Sequence, residues 1–192
     1  MRAICACGLV TVVALGCTAP SAGPPARVPL AVAPADPGQV ESPPVPPDSF
    51  TASVVRVVDG DTLLATVAGT TNKVRVRLIG VDSPETVKPN TPVACYGEQA
   101  SAFLRGLLAG APRLRAAYEP GGRLDRFGRQ LWDVWLPDGR FLQAVLVTAG
   151  AARAYPYRPQ VRYAELLQRI AAEARASRRG LWGPPCNGRS FA

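Results

Sequence analysis

The chain has 192 residues and a net charge of +8, and it contains no histidine. Its length suffices for one domain with a hydrophobic core and appended segments. Residues 50–192 hold twenty of the 22 basic and eleven of the 14 acidic residues. This balance favours a polyanionic partner such as nucleic acid or an anionic membrane, although an arginine-rich composition that serves solubility alone is the alternative. The lack of histidine excludes Ser-His-Asp catalysis, His-ligated zinc and histidine general bases, and leaves carboxylates, arginines, tyrosines and thiols for any chemistry.

The N-terminal segment 1–17 is typical of an export signal. One positive charge, Arg2, precedes an apolar run over residues 3–16 that is too short to span a bilayer as a permanent helix. The run ends in small and apolar residues before Cys17 and resembles a bacterial lipoprotein signal, in which the cysteine is lipidated. Ordinary secretion with cleavage near Ala19 is the alternative. Both interpretations predict an exported protein, either a lipoprotein of the cell envelope or a secreted one.

Residues 18–49 are rich in proline and alanine. Ten of the 20 prolines lie between Pro20 and Pro47, where large apolar residues are few. Such a segment cannot bury enough apolar surface to order itself, so we predict a disordered, semi-extended tether. The folded domain is then expected to cover residues 50–192.

The five cysteines fall into three groups. Cys5 and Cys7 belong to the signal, Cys17 is the candidate lipidation site, and Cys95 and Cys186 remain in the domain. An even pair in an exported domain predicts a disulfide, with two free thiols as the alternative.

Periodicity divides the domain into strands and helices. Five segments with β-branched or alternating patterns are predicted as strands, at residues 53–58, 62–67, 73–79, 113–118 and 130–136. Three segments with apolar residues at helical spacing are predicted as helices, the first from Gly97 to about Gly110, the second ending at Gly150 and the third around Leu166. Three strands, a helix and two strands is the order of the OB-fold. We therefore expect an α+β domain, a five-stranded OB-fold β-barrel with three helices.

The end of the third strand concentrates charge in the sequence RVRLIGVDSPE, residues 75–85. Because side chains alternate along a strand, Arg77 lies on the face opposite the apolar residues. The sequence DSP at 82–84 predicts a turn, from which Glu85 emerges. This strand end therefore presents a cation and several oxygen atoms in one place.

Each charged motif alone has a common structural explanation, since DGD is usually a hairpin turn, DSP a turn and DRFGR a solvated loop. Together, however, six motifs occur in the order and at the spacing of the staphylococcal nuclease (thermonuclease) family: VVDGDT, RLIGVDSPE, YGEQASAF, DRFGRQL, AVLVTAGAA and AYPYRP. The likeness covers residues 54–182. The domain thus resembles that family over almost its whole length.

The resemblance implies a Ca2+-dependent phosphodiesterase on an OB-fold barrel that hydrolyses DNA and RNA with low sequence specificity. Asp61 and Asp82 match the carboxylate ligands of the calcium, and Ser83 stands where the family supplies a backbone carbonyl. Hard oxygen ligands of this kind suit Ca2+. Asp59 would hold water near the ion, or would serve only to form the turn.

The resemblance also implies the catalytic groups. Glu85 matches the residue that orients or deprotonates the attacking water, and Arg77 and Arg129 match the arginines that hold the phosphate. A guanidinium stays protonated and presents forked donors, which suit phosphoryl oxygens and the additional charge of the transition state.

Four further residues match the substrate-binding part of the family. Tyr155 and Tyr157 align with tyrosines that contact phosphate and stack on a base, with packing between two helices as the alternative role. Arg126 and Phe127 occupy positions where the prototype has a lysine and a tyrosine near a terminal phosphate. Because Phe127 lacks the hydroxyl, we expect an endonuclease.

Two alternatives come from other functional classes. One is a non-catalytic OB-fold envelope protein that binds nucleic acid, and the other is an envelope protein whose basic surface binds anionic lipid. A catalytically inactive relative would be expected to lack one or more of five charged residues that this chain retains: Asp61, Arg77, Asp82, Glu85 and Arg129. We therefore expect a monomeric nuclease whose partners are DNA and RNA substrates, with membrane contact only through the N-terminal lipid.

Overall fold

The structure is a computed structural model, and it describes residues 40–86, 92–110, 113–156 and 161–191. The predicted signal, most of the predicted tether and Cys17 lie outside the described residues, and so does Tyr157. Within the described ranges, none of the helices is long and apolar enough to cross a membrane.

Five longer strands and two very short ones form in the described part of the chain. They are β1 (Phe50–Val57), β2 (Thr62–Val67), β3 (Lys73–Leu78), β4 (Val81–Asp82), β5 (Leu114–Tyr118), β6 (Gln130–Trp135) and β7 (Arg153–Ala154). The helices are α1 (Gly97–Ala109), α2 (Leu142–Thr148) and α3 (Ala164–Ala176), and two 3-10 turns follow at Gly180–Trp182 and Arg189–Phe191.

The five longer strands close into a barrel in the order β1-β2-β3-β6-β5. All neighbours are antiparallel except β3 and β6, which pair in parallel. The predicted α+β fold, a five-stranded OB-fold barrel with three helices, is confirmed. β1 begins three residues earlier than the sequence predicted, because Phe50 pairs with Ala116 of β5 and its ring packs against Tyr118 and Trp132.

β4 and β7 pair with each other outside the barrel. Each has only two residues, so neither has a periodicity that sequence analysis could detect. The pairing matters for the site because it places Arg153 opposite Asp82.

α2 is buried on all sides rather than along one stripe. Six consecutive residues, 142–147, are buried, and they include the polar Gln143. The Gln143 side chain accepts a hydrogen bond from the Val134 backbone N–H (3.2 Å) and donates one to the Trp132 carbonyl (2.9 Å). A polar side chain tolerates full burial when it is hydrogen-bonded in this way. Gln143 thereby joins α2 to β6.

The chain begins to contact the barrel before residue 50. The Trp135 indole N–H donates to the Pro43 carbonyl (2.8 Å), and the Phe141 backbone N–H donates to Ser42 Oγ (2.9 Å). Glu41 pairs with Arg169 of α3 (2.7 Å). Backbone carbonyls and single polar side chains therefore attach residues 41–43, which precede the predicted domain boundary, to the domain.

A disulfide joins Cys95, just before α1, to Cys186 in the C-terminal tail, with the two Cα atoms 5.7 Å apart. Leu181 and Cys186 are both buried. The tail is therefore held against the domain by one covalent link and by apolar packing.

Candidate active site

One cavity opens where the start of β2, the end of β3, β4 and the loop before β6 meet. Eight of the residues singled out from the sequence line it: Asp59, Asp61, Arg77, Asp82, Ser83, Glu85, Arg129 and Tyr155. Asp125 lines it as well. Residues that are far apart in the sequence thus converge on one space.

The β1–β2 turn places Asp61 at the cavity. The Asp61 N–H donates to Asp59 Oδ1 (3.1 Å), so Asp59 stabilises the turn. Gly60 allows a close approach to the β4 segment, because a Cβ at this position would lie 2.7 Å from the Cβ and Oγ of Ser83. A larger residue at position 60 would separate the two segments that supply Asp61 and Ser83.

Asp61 is a buried carboxylate with several donors around it. Oδ2 accepts the Ser83 backbone N–H (2.7 Å), and Oδ1 accepts the Thr62 hydroxyl (3.0 Å). Arg77 Nη1 lies 3.0 Å from Oδ2. These contacts fix the orientation of the carboxylate and offset the cost of its burial.

Arg77 lies between Asp61 and Asp82, the two predicted carboxylate ligands, and contacts both. Its Nη1 contacts Asp61, and its Nη2 donates to Asp82 Oδ1 (3.1 Å). Nη1 also donates to the Leu78 carbonyl (3.0 Å). In this structure the arginine predicted to hold phosphate therefore lies between Asp61 and Asp82.

The turn after β3 brings Asp82 back to Arg77. Gly80 has a φ of +79°, which L-residues with a side chain disfavour, and an added Cβ would lie 2.7 Å from Leu167 of α3. The Gly80 carbonyl accepts the Tyr155 N–H (2.8 Å). This single glycine therefore permits the reversal that aligns Asp82, Arg77 and Tyr155.

Sequence reasoning missed Arg153, which contacts Asp82 from β7. Its Nε donates to Asp82 Oδ2 (3.0 Å), and its Nη2 lies 2.9 Å from the same oxygen. The guanidinium also lies over the ring of Phe191, 3.8 Å from the centroid. No sequence motif predicts this contact, because it arises from the pairing of β4 with β7.

The oxygen donors at this end of the cavity suit a hard cation. Within the described ranges, no three acidic or thiol side chains form a ligand cluster. The three residues that the family resemblance implies as calcium ligands, Asp61, Asp82 and Ser83, all line the cavity. Burial and the charge of Asp61 raise the pKa of Asp82 despite Arg77 and Arg153, and the same two causes raise the pKa of Asp59 to about 6. Carboxylate and carbonyl oxygens are hard ligands, so the chemistry of Asp61, Asp82 and Ser83 fits calcium.

Glu85 enters the cavity from the turn that follows Pro84. Its Oε1 accepts the Thr86 N–H (2.9 Å), and its backbone carbonyl accepts the Ala94 N–H (2.9 Å). Gly97, at the start of α1, allows close packing here, because a Cβ would lie 3.0 Å from the Glu85 carbonyl oxygen. The start of α1 therefore supports the backbone of Glu85.

Asp125 organises the loop that carries Arg129. Its Oδ1 accepts the backbone N–H groups of Phe127 (2.8 Å) and Arg129 (2.9 Å), and its Oδ2 accepts Arg129 Nε (2.7 Å). Burial raises the pKa of Asp125, but these hydrogen bonds outweigh it and leave the pKa below its usual value. Sequence reasoning did not single out Asp125, although an aspartate that begins a glycine-containing loop often bonds the backbone two residues on.

The residues predicted to bind substrate do not all lie at the cavity. Tyr155 lines the cavity and is 41% exposed. The guanidinium of Arg126 instead lies 4.7 Å from the ring centroid of Phe127, which is 66% exposed. Arg126 is absent from the cavity lining among the described residues.

Comparison with known proteins gives one consistent result. The family model described as Staphylococcal nuclease homologue matches residues 75–184. The protein named Thermonuclease from Staphylococcus hyicus is 40% identical over 132 residues, 69% of this chain and 75% of that protein. The Thermonuclease from Staphylococcus intermedius is 43% identical, over 67% of this chain and 74% of that protein.

A more distant relative carries an endonuclease name. Endonuclease YncB from Bacillus subtilis (strain 168) is 37% identical over 66% of this chain and 59% of that protein. The family match covers more than half of the chain and includes β3 from Arg75 onward, β4 and the Arg129 loop. The barrel, the cavity and these matches agree, and the chain belongs to the staphylococcal nuclease family.

Proposed function

We propose that the protein is an exported, calcium-dependent nuclease that hydrolyses phosphodiester bonds of DNA and RNA by internal cleavage with low sequence specificity. The observation that carries this proposal is the convergence of two acidic ligand candidates, Glu85 and two arginines on one cavity. Membership of the family, whose relatives above are named Thermonuclease and Endonuclease, supports a hydrolase that acts on nucleic acid.

Asp61 and Asp82 would hold the ion through their carboxylates and Ser83 through its backbone carbonyl. A bound calcium supplies Lewis-acid polarisation of a phosphoryl oxygen and lowers the pKa of water next to it. The protein fixes the ligands in advance, because the Thr62 hydroxyl and the Ser83 N–H orient the Asp61 carboxylate. Ligands that are held by such contacts bind an ion with less loss of conformational freedom.

Glu85 is the group that acts on water. Its carboxylate lines the cavity, while its backbone is held by Ala94 and its Oε1 by the Thr86 N–H. A carboxylate in this place can accept a hydrogen bond from water, orient it toward phosphorus and take its proton as the oxygen attacks. No other described residue that lines the cavity matches the family's water-activating position.

Arg129 is the donor for the phosphate. Arg129 lines the cavity, and its guanidinium is orientated because Nε donates to Asp125 Oδ2 (2.7 Å) and Nη1 donates to the Thr62 hydroxyl (3.4 Å). Forked donors in a fixed position stabilise the charge that develops on phosphoryl oxygens without a reorganisation cost. Arg77 is the second guanidinium of the cavity and is proposed to act on phosphate as well.

Tyr155 is proposed to contact the nucleotide, since its ring is exposed at the cavity and its backbone is held by Gly80. Stacking on an aromatic ring tolerates any base, which agrees with low sequence specificity. Tyr157 and Arg126 are proposed to extend this contact. The family tyrosine at position 127 is replaced by Phe127, which supports internal cleavage.

Export is proposed on the signal-like N-terminus and on the Cys95–Cys186 disulfide, since disulfides persist in oxidising compartments. Lipidation of Cys17 would attach the protein to the envelope, and we propose that the domain acts as a monomer.

A circular single-stranded DNA tests the proposal against the binding-only alternative. In calcium we expect the circle to become linear and then to shorten, because internal cleavage needs no strand end. A non-catalytic binding protein would retard the circle in a gel and leave it intact. An intact circle together with degradation of the linear form would instead identify an exonuclease and contradict the internal cleavage.

A further inference from the structure

The outer face of β3 carries a row of basic side chains that begins at the cavity. Lys73, Arg75 and Arg77 alternate with Val74, Val76 and Leu78, so the three cations share one face and the apolar residues share the other. Lys73 and Arg75 are exposed, whereas Arg77 reaches into the cavity. The row therefore connects the barrel surface with the active site.

The neighbouring strands add a further cation to this face. Leu64 of β2 pairs with Arg75 on one side and with Arg56 of β1 on the other, so the three side chains lie next to one another across the sheet. A bulge in β1 between Val54 and Arg56 alters the alternation, and Arg56 is exposed. We define Arg56, Lys73 and Arg75 as the β3 track.

The β3 track has no acidic neighbour on its own strands. Residues 49–58 and 62–81, which form β1, β2, β3 and the turn between β2 and β3, contain no aspartate or glutamate. Elsewhere in the described domain arginines pair with acids, as Arg140 does with Asp138 and Arg169 with Glu41. A row of cations on strands that carry no acidic residue creates a positive potential that attracts a polyanion.

We propose that the β3 track binds backbone phosphates of the nucleic-acid strand as it leaves the cavity. Same-face residues of a strand repeat about every 7 Å, a distance comparable with that between successive phosphates of an extended polynucleotide. Arg77 lies at the cavity end of the row, so a strand whose scissile phosphate is in the cavity meets Arg75 and Lys73 next. The inference rests on the proposed nuclease function and adds a substrate path outside the cavity.

The test compares two variants that each lose two cations. Lys73→Gln/Arg75→Gln removes charge from the track, and Arg105→Gln/Arg113→Gln removes the same charge from exposed positions on α1 and before β5. Binding is measured with a long single-stranded DNA across salt concentrations, with Glu85→Gln added to each protein so that the DNA stays intact. Hydrolysis of the long strand and of a dinucleotide is measured without that substitution.

We expect the track variant to bind the long strand about tenfold more weakly at low salt, with the slope of log K against log salt reduced by about 1.4 for two lost contacts. Its kcat/KM for the long strand, divided by that for the dinucleotide, should fall by a similar factor. The control variant should keep the parent's ratio and slope. If the track variant still hydrolyses the dinucleotide, the proposed nuclease function is supported whatever the result with the long strand.

Three results would overturn the proposal. The first is an equal slope in the track and control variants, which would show that net charge alone matters. The second is a loss of the same size on the dinucleotide, which would place the effect inside the cavity. The third is that the track variant binds vesicles containing phosphatidylglycerol more weakly than the parent does but binds DNA equally well. This result would make the track a membrane contact.

Discussion

Replacement of Glu85 by glutamine is expected to lower kcat for DNA hydrolysis by a factor of roughly 100 to 10,000, the range that a positioned general base contributes. Glutamine keeps the shape and the Oε1 acceptor for the Thr86 N–H, so the local backbone should not change. It cannot accept the proton of the attacking water. The affinity for single-stranded DNA should therefore persist while turnover is lost.

Glu98→Gln is the matched control, since Glu98 is exposed in the first turn of α1 and lies outside the cavity lining. We expect this variant to keep the parent's kcat. Single-turnover hydrolysis by Glu85→Gln at a rate within threefold of the parent, a factor far below that expected for a general base, would exclude Glu85 as the base. Loss of DNA binding together with turnover would instead mean that the substitution disrupts the cavity.

Stability should depend on pH through a buried carboxyl group that is not one of the proposed ligands. Asp133 on β6 is 1% exposed, and in the described part of the chain neither of its carboxylate oxygens has a hydrogen-bond partner. Burial, and after it the charge of Glu119, raises the pKa of Asp133 to about 8, while Arg162 opposes the shift. The Asp133 carboxyl is therefore neutral in the folded protein below that pH.

The sign of the effect follows from proton linkage. In the unfolded chain the Asp133 carboxyl titrates near its ordinary value of 3.8, so between about pH 4 and about pH 8 the folded state binds the additional proton. The free energy of unfolding then decreases as pH rises, by about 1.4 kcal/mol per pH unit from this group. The contribution is complete below pH 4 and is lost by about pH 8.

Asp133→Asn removes the titration and keeps the side-chain shape. We measure the free energy of unfolding in urea at pH 5 and at pH 8. Between these values the free energy should change little in Asp133→Asn, and in the parent it should fall by about 4 kcal/mol more than in that variant. Asp138→Asn is the control, because Asp138 is exposed and hydrogen bonds from Arg140 lower its pKa. An identical pH dependence in the parent and in Asp133→Asn would contradict an uncharged Asp133 in the folded state.

The barrel was predictable because its strands have strong local patterns. Thr62–Val67 forms β2 with the bounds that the sequence predicted, and α1 starts at Gly97 as predicted. Period-2 alternation and helical spacing reflect burial on one face, so they survive into the structure. Helical spacing also predicted α2, but it did not predict that the polar Gln143 is buried along with the apolar residues of this helix.

The site residues that belong to contiguous motifs could be predicted. Those brought to the site by pairing between strands that are far apart in the sequence could not. DGDT and VDSPE place Asp61, Asp82 and Ser83 at strand ends, and the structure brings them to one cavity. The contact of Arg153 with Asp82 depends on the pairing of β4 with β7. Strands of two residues have no sequence pattern from which this pairing could be predicted. The burial of Asp133 was not predicted, because it arises from the cover on both faces of β6 rather than from the local sequence.

We propose that calcium held by Asp61, Asp82 and Ser83 is required for hydrolysis. The most direct measurement is the rate of single-stranded DNA cleavage by the purified protein as free calcium is raised from a chelated baseline, in parallel with Asp61→Asn. We predict no cleavage in the chelator, a saturable increase with calcium and a loss of that increase in Asp61→Asn. Cleavage at the full rate in the chelator, or an unchanged calcium response in Asp61→Asn, would contradict a calcium requirement at this site.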